Sequence, residues 1–429
     1  MQIVTADRAL VGADLEVVEH AAVVIDGDRI TWVGREADLD PDLVGRAETV
    51  RTLGDATLLP GLIDAHVHLA FDGGPTPVAR MMAESDSAQV ALMLRSAREL
   101  LSVGVTTARD LGSRDYLGVD VREAIASGTA RGPRILTSGP AITVTGGHCW
   151  FMNGEVDSPD AMRTMVRRHH KAGVDCIKVM STGGNMTPGS MPWHAQFTED
   201  ELHVAVDEAH RLGKKVAAHA HGVEGIRRAL AAGVDSLEHC SFQTEEGFGG
   251  FDPELADAIA ASDTWVSPTC SARMSDFRRL LPEREFPLAE LYARGVKLMA
   301  STDAGIDNNP HYGYVYGLRA MHEFGIPIRD VLLAATSGAA RGLGLQGVTG
   351  ELTAGTSADV IAVAGDPLSD LAALHELQMV VARGEHFTPD PVPPIEPLDP
   401  DDLPEMLRRM VEASRIAREQ ALVTAEGLG

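Results

Sequence analysis

PGLIDAHVHLA, residues 60–70, is an apolar run that ends in two histidines spaced i and i+2. Alternate residues of a strand face the same way, so His66 and His68 offer two imidazoles to one point. Neutral imidazole nitrogen suits zinc and its borderline neighbours. With 16 histidines in the chain, one such pair arises easily by chance. Its meaning rests on what the other segments carry.

Working outward, one pattern recurs: a helix-like stretch, a glycine, then a β-branched strand. It appears as LSVGVTTARD (101–110), KAGVDCIKVM (171–180), AAGVDSLEHC (231–240) and ARGVKLMAST (293–302). Glycine accepts the left-handed conformation that ends a helix, so each marks a helix-to-strand passage. LPGLIDAHVHL, PRILTSGPAIT, KKVAAHAHG and TWVSPTCSA complete eight expected strands between residues 58 and 305. Strands alternating with helices predict an α/β fold with a parallel sheet, and eight predict a closed (β/α)8 TIM barrel. In such barrels the chemistry lies at the C-terminal strand ends. There stand His66 and His68 on the first strand, Lys178 on the fourth, His219 on the fifth, His239 on the sixth and Asp303 on the eighth. Together they read as a two-metal hydrolase site.

The flanks alternate apolar and polar residues instead. AAVVIDGDRITWVG (21–34) carries a Gly-Asp turn and predicts a hairpin; GELTAGTSADVIAVAG (350–365) and LQMVVARGEHF (377–387) repeat the alternation. Neither flank has strands enough to fold alone, so residues 1–57 and 344–390 are paired as one small β-sandwich around a hydrolase barrel at 58–343. TPDPVPPIEPLDP (388–400) predicts an extended linker. Residues 401–427 then space Leu403, Leu407, Met410 and Ala417 as a helix does, so 391–429 is assigned as linker and C-terminal helix.

Composition bounds the partners. Among 429 residues, 44% are hydrophobic and 23% charged, the balance of a soluble protein with ample core. A net charge of −25 argues against nucleic acid and anionic membranes as partners. No apolar run is long enough to span a bilayer and no signal peptide is visible, so a cytoplasmic location is expected. Cys149, Cys176, Cys240 and Cys270 lack CxxC spacing and read as buried free thiols.

The chain resembles the amidohydrolase superfamily, and within it the imidazolonepropionase-like, Xaa-Pro dipeptidase-type branch. The resemblance spans nearly the whole sequence and rests on PGLIDAHVH, GVTTARDLG, IKVMSTGG, AAHAHG, SLEH, STDAG, PHYGYVYGLRAM, AATSGAARGLGL and GELTAGTSADVIAV. It implies two divalent ions, zinc being the expected metal, with His66 and His68 on the more buried ion and His219 and His239 on the other. Carbamylated Lys178 would bridge them. A lysine ammonium has donors only, whereas its carbamate is an anionic bridge able to hold ions roughly 3.5–4 Å apart. Asp303 would be both ligand and general base, and the reaction hydrolysis of a C–N amide bond in a small molecule. A homo-oligomer is expected.

Spacing leaves points open. His221 lies i+2 from His219 and faces the same way, so either is a candidate ligand. If His221 ligates, Glu224 completes the HxxE arrangement of a mononuclear deaminase, which has no use for a bridging lysine. A catalytically inactive scaffold is a third reading, disfavoured because all six positions are filled. His148, after the third strand in VTGGHCW, is the candidate catalytic and substrate-binding electrophile, against the alternative of a passive loop histidine. Trp193 and His194 stand in the long loop after strand four, and His311, Tyr312, Tyr314 and Tyr316 follow Asp303. Of these only His311 and Tyr312 are close enough in sequence to be expected at the mouth.

Overall fold

The computed structural model describes residues 1–245, 250–281 and 286–399. The N-terminal flank supplies β1 (Gln2–Val11), β2 (Glu16–Asp26), β3 (Arg29–Arg35), β4 (Thr49–Thr52) and β5 (Ala56–Pro60). The central region supplies β6 (Leu62–Val67), β7 (Val105–Asp110), β8 (Arg134–Thr137), β9 (Cys176–Met180), β10 (Lys215–Gly222), β11 (Ser236–Gln243) and β12 (Trp265–Ser267). After it come β13 (Val360–Ala364), β14 (Leu377–Ala382) and β15 (Glu385–Phe387).

Both flanks join one mixed sheet, in the order β15-β14-β13-β5-β1-β2-β3 with β4 beside β1. The expected hairpin is β2–β3, paired antiparallel from Ala21↔Arg35 to Asp26↔Arg29 around Gly27 and Asp28. Alternate residues of β1 and β2 feed different clusters. Val4, Val23 and Ile25 pack with Leu58, Val360 and Val381, while Ile3, Ala22 and Val24 pack with Leu39. The flanks therefore meet, but as one continuous ladder rather than the two stacked layers expected. The reason is that β13 hydrogen-bonds directly along β5 (Val360↔Pro60 to Ala364↔Ala56), which extends the sheet edge to edge.

The centre is the expected alternation of strands and helices, and its strands pair in parallel. They form two sheets, β6-β7-β8 and β9-β10-β11-β12, not a single closed eight-strand ladder. Two local causes break it. After β8 the chain passes through Pro140, which has no N–H to donate, and pairing resumes only at Ile142, whose N–H donates to Lys178 O (2.9 Å). The eighth expected strand, 296–304, bonds β12 through Met299 N to Val266 O (2.9 Å) and β6 through Ala65 N to Ala300 O (3.0 Å), with His68 N to Ala304 O (2.8 Å) just beyond it, but its ladder is interrupted. Between those points Ala334 O and Ala335 O accept from Ala300 N and Ile63 N (both 2.8 Å), taking donors the ladder would have used. The helix Ile328–Ala334 thus ends inside the seam.

The four glycines read as helix-to-strand passages are all left-handed: Gly104 (φ 83°), Gly173 (φ 86°), Gly233 (φ 83°) and Gly295 (φ 81°). The proline-rich stretch, described to residue 399, carries no helix or strand but does not hang free. It is strapped to the barrel side by Arg98–Asp390 (2.8 Å), Ile395 N to Tyr316 Oη (3.1 Å), Arg273 to Glu396 O (2.6 Å) and Leu398 N to Asp276 (3.0 Å). The expected C-terminal helix lies outside the described residues. No helix among the described residues is long and apolar enough to cross a membrane.

Gly233 tests the passage argument, because a Cβ there meets nothing closer than 4.0 Å and only the backbone conformation opposes it. Gly233→Ala is expected to cost about 1–2 kcal/mol in urea unfolding, the penalty of a left-handed L-residue. An unchanged midpoint would show that the helix-to-strand turn does not depend on glycine.

Candidate metal centre

β6 presents His66 and His68; β9, Lys178; β10, His219 and His221; β11, His239; and the segment after Leu298, Asp303. Their side chains converge. His66 Nε2 and His68 Nε2 are 3.3 Å apart, and Asp303 Oδ1 lies 3.3 Å from the first and 3.2 Å from the second. His219 Nδ1 is 2.8 Å from His239 Nε2, and the His66 and His239 rings are 5.3 Å apart.

The rings share one construction: an outer nitrogen is held by the protein and the other turns inward. His66 Nδ1–H donates to Glu238 (2.8 Å), His68 Nδ1–H to Gly112 O (3.4 Å) and His219 Nε2–H to Gly183 O (2.9 Å). His239 Nδ1 meets Thr269 Oγ1 (2.9 Å) and His221 Nδ1 meets Ser241 Oγ (2.8 Å). Such outer partners set the tautomer and aim the free lone pair, the arrangement typical around bound metals. Two overlapping groups, His219–His221–His239 and His66–His239–Asp303, bring their ligand atoms within 4.8 Å of one another.

Burial sets the charges. It pushes His66 and His221 down to about 4 and holds His219 and His239 well below the usual histidine range, so these rings are neutral near pH 7. It also pushes Lys178 down to about 8, against the pull of Glu238 and Asp303. Lys178 Nζ is buried with no hydrogen-bond partner. Asp303 is likewise buried; desolvation raises its pKa, but His66, His68 and Lys178 outweigh that and hold the carboxyl well below its normal range.

The backbone is strained where the site is made. His239 (φ 68°), Thr269 (φ 51°) and Asp303 (φ 59°) are left-handed non-glycine residues, each costing of order 1–3 kcal/mol. At His239 this undoes strand alternation. Glu238 and His239 are neighbours on β11, yet one holds His66 and the other joins the inward-facing rings. A cavity of about 790 Å³ opens beside His221 and His239, with Trp193 and Thr269 in its wall.

The amidohydrolase family profile matches residues 57–386. The chain belongs to the amidohydrolase family. Amidohydrolases generally use metal ions, and the donor set fits that use. A Xaa-Pro dipeptidase solved with methionine in its active site superposes with a TM-score of 0.80 at 30% identity, covering 90% of this chain and 99% of its own. The ochratoxinase of Aspergillus niger is 29% identical over 402 residues, 86% of this chain and 83% of that protein. The imidazolonepropionase of Paracoccus denitrificans is 27% identical over 399 residues, 84% of this chain and 91% of that protein. The superfamily and branch expected from the sequence are thus the ones found.

In this amidohydrolase all six residues expected at strand ends lie together, and His221 lies with them. Glu224 does not: it starts the helix Val223–Ala232, is exposed, and accepts from Arg228 Nε (2.8 Å) one turn on. The HxxE arrangement therefore has no carboxylate facing the rings. His148 is buried with its ring 4.7 Å from His219, but it is packed on Gly184, where a Cβ would fall 2.4 Å from Nε2, and it is absent from the cavity wall. Of the loop pair, Trp193 lines the cavity and His194 is exposed. His311 is buried and donates to His68 O (3.2 Å), Tyr312 is partly buried against the main core, and Tyr314 donates to Ile63 O (2.5 Å). Sequence reasoning passed over Glu238 and Arg109, whose only signal is a charged residue inside an apolar strand, in SLEH and in TTARD.

Neutral buried rings make stability pH-dependent. The unfolded chain binds protons at its histidines below about 6.5, whereas folded His66 and His221 bind them only near 4, so stability is full above 6.5 and falls as pH drops toward 4. Urea midpoints of the metal-free protein should be clearly lower at pH 5 than at pH 7.5. Equal midpoints would show that the rings are already charged when folded.

Proposed function

We propose that this amidohydrolase is a metal-dependent hydrolase that cleaves a C–N amide bond of a small substrate: a dipeptide, an N-acyl amino acid or a cyclic amide. The observation that carries the reading is the set of imidazole nitrogens turned inward around Asp303, beside a buried lysine amine with no partner. The proposal includes a hydrolase domain at 58–343, a composite β domain of 1–57 with 344–390, a tail at 391–429, and a homo-oligomer.

Two divalent ions, zinc being expected, would be held by His66, His68, Lys178, His219, His239 and Asp303. Ions bound there supply a Lewis acid for the carbonyl and activate water for attack near neutral pH. The residues supply the rest. A Lys178 amine pushed down to about 8 is partly neutral at pH 7 and can add to carbon dioxide, losing a proton to become the anionic carbamate. Its unpartnered Nζ supports that role. Asp303 takes the proton released by the attacking water and hands it to the leaving nitrogen. His148, whose Nδ1 is buried without a partner, is the proposed contact for a substrate oxygen. No side chain becomes bonded to substrate.

Elemental analysis of protein grown with zinc is expected to find about two ions per chain, and Lys178→Ala to lose both metal and activity. One ion, with Lys178→Ala still active, would remove the bridging role.

Asp303→Asn should lower turnover about 10²- to 10⁴-fold with the fold retained, and a full-rate variant would remove Asp303 as the base. The substrate screen is a panel of Xaa-Pro dipeptides, other N-acyl amino acids, lactams and aminated heterocycles. Turnover confined to the heterocycles, with ammonia released, would replace amide hydrolysis by deamination.

A further inference from the structure

The cavity beside the metal-type residues is large and unevenly made. Its volume of about 790 Å³ lies in the upper part of the range for small-molecule sites. His221, His239 and Thr269 stand in its wall where it borders the centre. Another part of the wall comes from the two short helices Met274–Leu280 and Leu288–Ala293, inserted between β12 and the Asp303 segment. From these helices and the end of a third come Met274, Phe277, Leu288, Leu291 and Phe324. Phe324 is braced by Phe286, with ring centroids 4.9 Å apart.

Met274, Phe277 and Phe324 are partly exposed along this wall, and Leu288 and Leu291 back it from the main hydrophobic core. Apart from histidine and the thiol of Cys270, the ionisable side chains among the cavity's described lining residues are Arg273 and Asp307. Arg273 is already turned onto Asp276 (3.3 Å) and Glu396 O (2.6 Å). A charged or strongly polar substituent lying against the apolar wall would lose water without gaining partners there. An apolar one would displace water from both surfaces.

We propose that the amide hydrolysed at this centre carries a bulky apolar group, aryl or branched alkyl, seated against Met274, Phe277, Leu288, Leu291 and Phe324. The proposal rests on the amide-hydrolase reading of the same site. The reaction is the addition of water across the C–N bond, giving a carboxylic acid and an amine, with the apolar group on one or the other product. A compact amide would leave the wall wet and gain nothing from it.

The test compares N-acetylglycine, N-acetyl-L-phenylalanine and N-(2-naphthoyl)glycine on the zinc-loaded protein. At least one bulky substrate should exceed N-acetylglycine in kcat/KM by about 10- to 100-fold, the gain expected from burying one large apolar side chain. Which one gains tells whether the group sits on the amine or the acyl side. Met274→Trp fills the seat from its partly exposed side and should bring that ratio back toward one; Phe324→Trp does so from another helix end should the first variant fail to fold. Equal kcat/KM across the three substrates overturns the proposal. If no amide is turned over, the amide-hydrolase reading fails, and calorimetric titration of the metal-free protein with the two bulky compounds decides the seat. Binding weakened in the filled variant supports it, and equal heats with wild type and variant overturn it.

Discussion

Beneath the converging histidines lies a buried carboxylate on which their placement depends. Glu238 is fully buried and accepts from Arg109 Nη2 (2.8 Å), Ser236 Oγ (2.5 Å) and His66 Nδ1 (2.8 Å). Arg109 spends its other donors on Ala65 O (2.7 Å) and Ser236 Oγ (3.0 Å). Burial alone would raise the Glu238 pKa; Arg109, His66 and Lys178 reverse that and keep it an anion. A buried ion pair compensates its desolvation only when nearly every donor and acceptor is satisfied, and here they are. The network also spans β6, β7 and β11, so it links the two parallel sheets across the interior at the level of the site.

The same low-dielectric interior acts on every titratable group, with consequences that differ by charge type. It makes His66, His219, His221 and His239 poor bases, leaving their lone pairs free, and makes the lysine amine partly neutral. Asp64, which accepts from Thr302 Oγ1 (2.5 Å) and ties β6 to the eighth segment, is pushed up to about 7. Asp110, bound by Leu69 N (3.0 Å) and Thr137 Oγ1 (3.1 Å), is pushed up to about 6. Near pH 7 Asp64 is thus close to half neutral and Asp110 still largely ionised, while Glu238 and Asp303 are held firmly as anions. What separates them is the pull of cationic groups, Lys178 on both Glu238 and Asp303 and Arg109 on Glu238, and that difference concentrates negative charge where a cation would sit.

The apolar wall belongs to a different part of the design. The helices that build it come from the stretch between β12 and the Asp303 segment, and β12 itself is only three residues long. The proline-rich strap reaches the same region, since Leu398 lines the cavity and bonds Asp276. The converging side chains ride on strands and the segment after them, whose spacing hydrogen bonds enforce. The cavity beside them is shaped by short helices and a strap, elements that can vary without disturbing those strands.

Much of the site was legible from periodicity alone. A strand repeats every two residues and a left-handed residue ends a helix, so glycines 173, 233 and 295 announced the segments that carry Lys178, His239 and Asp303, while apolar runs marked those that carry His66, His68 and His219. Local rules determined those positions because they concern neighbours in the chain. They did not determine that Glu238 would grip His66 from the strand that also carries His239, since that needs a left-handed backbone at a non-glycine residue, stabilised by contacts 172 positions apart. Nor did they determine that Glu224 would face solvent, that Ala334 and Ala335 would take the N–H groups of Ala300 and Ile63, or that His148 would pack with its ring 4.7 Å from His219. Each of these is decided by which groups find partners once distant segments meet, and only the folded chain brings those partners together.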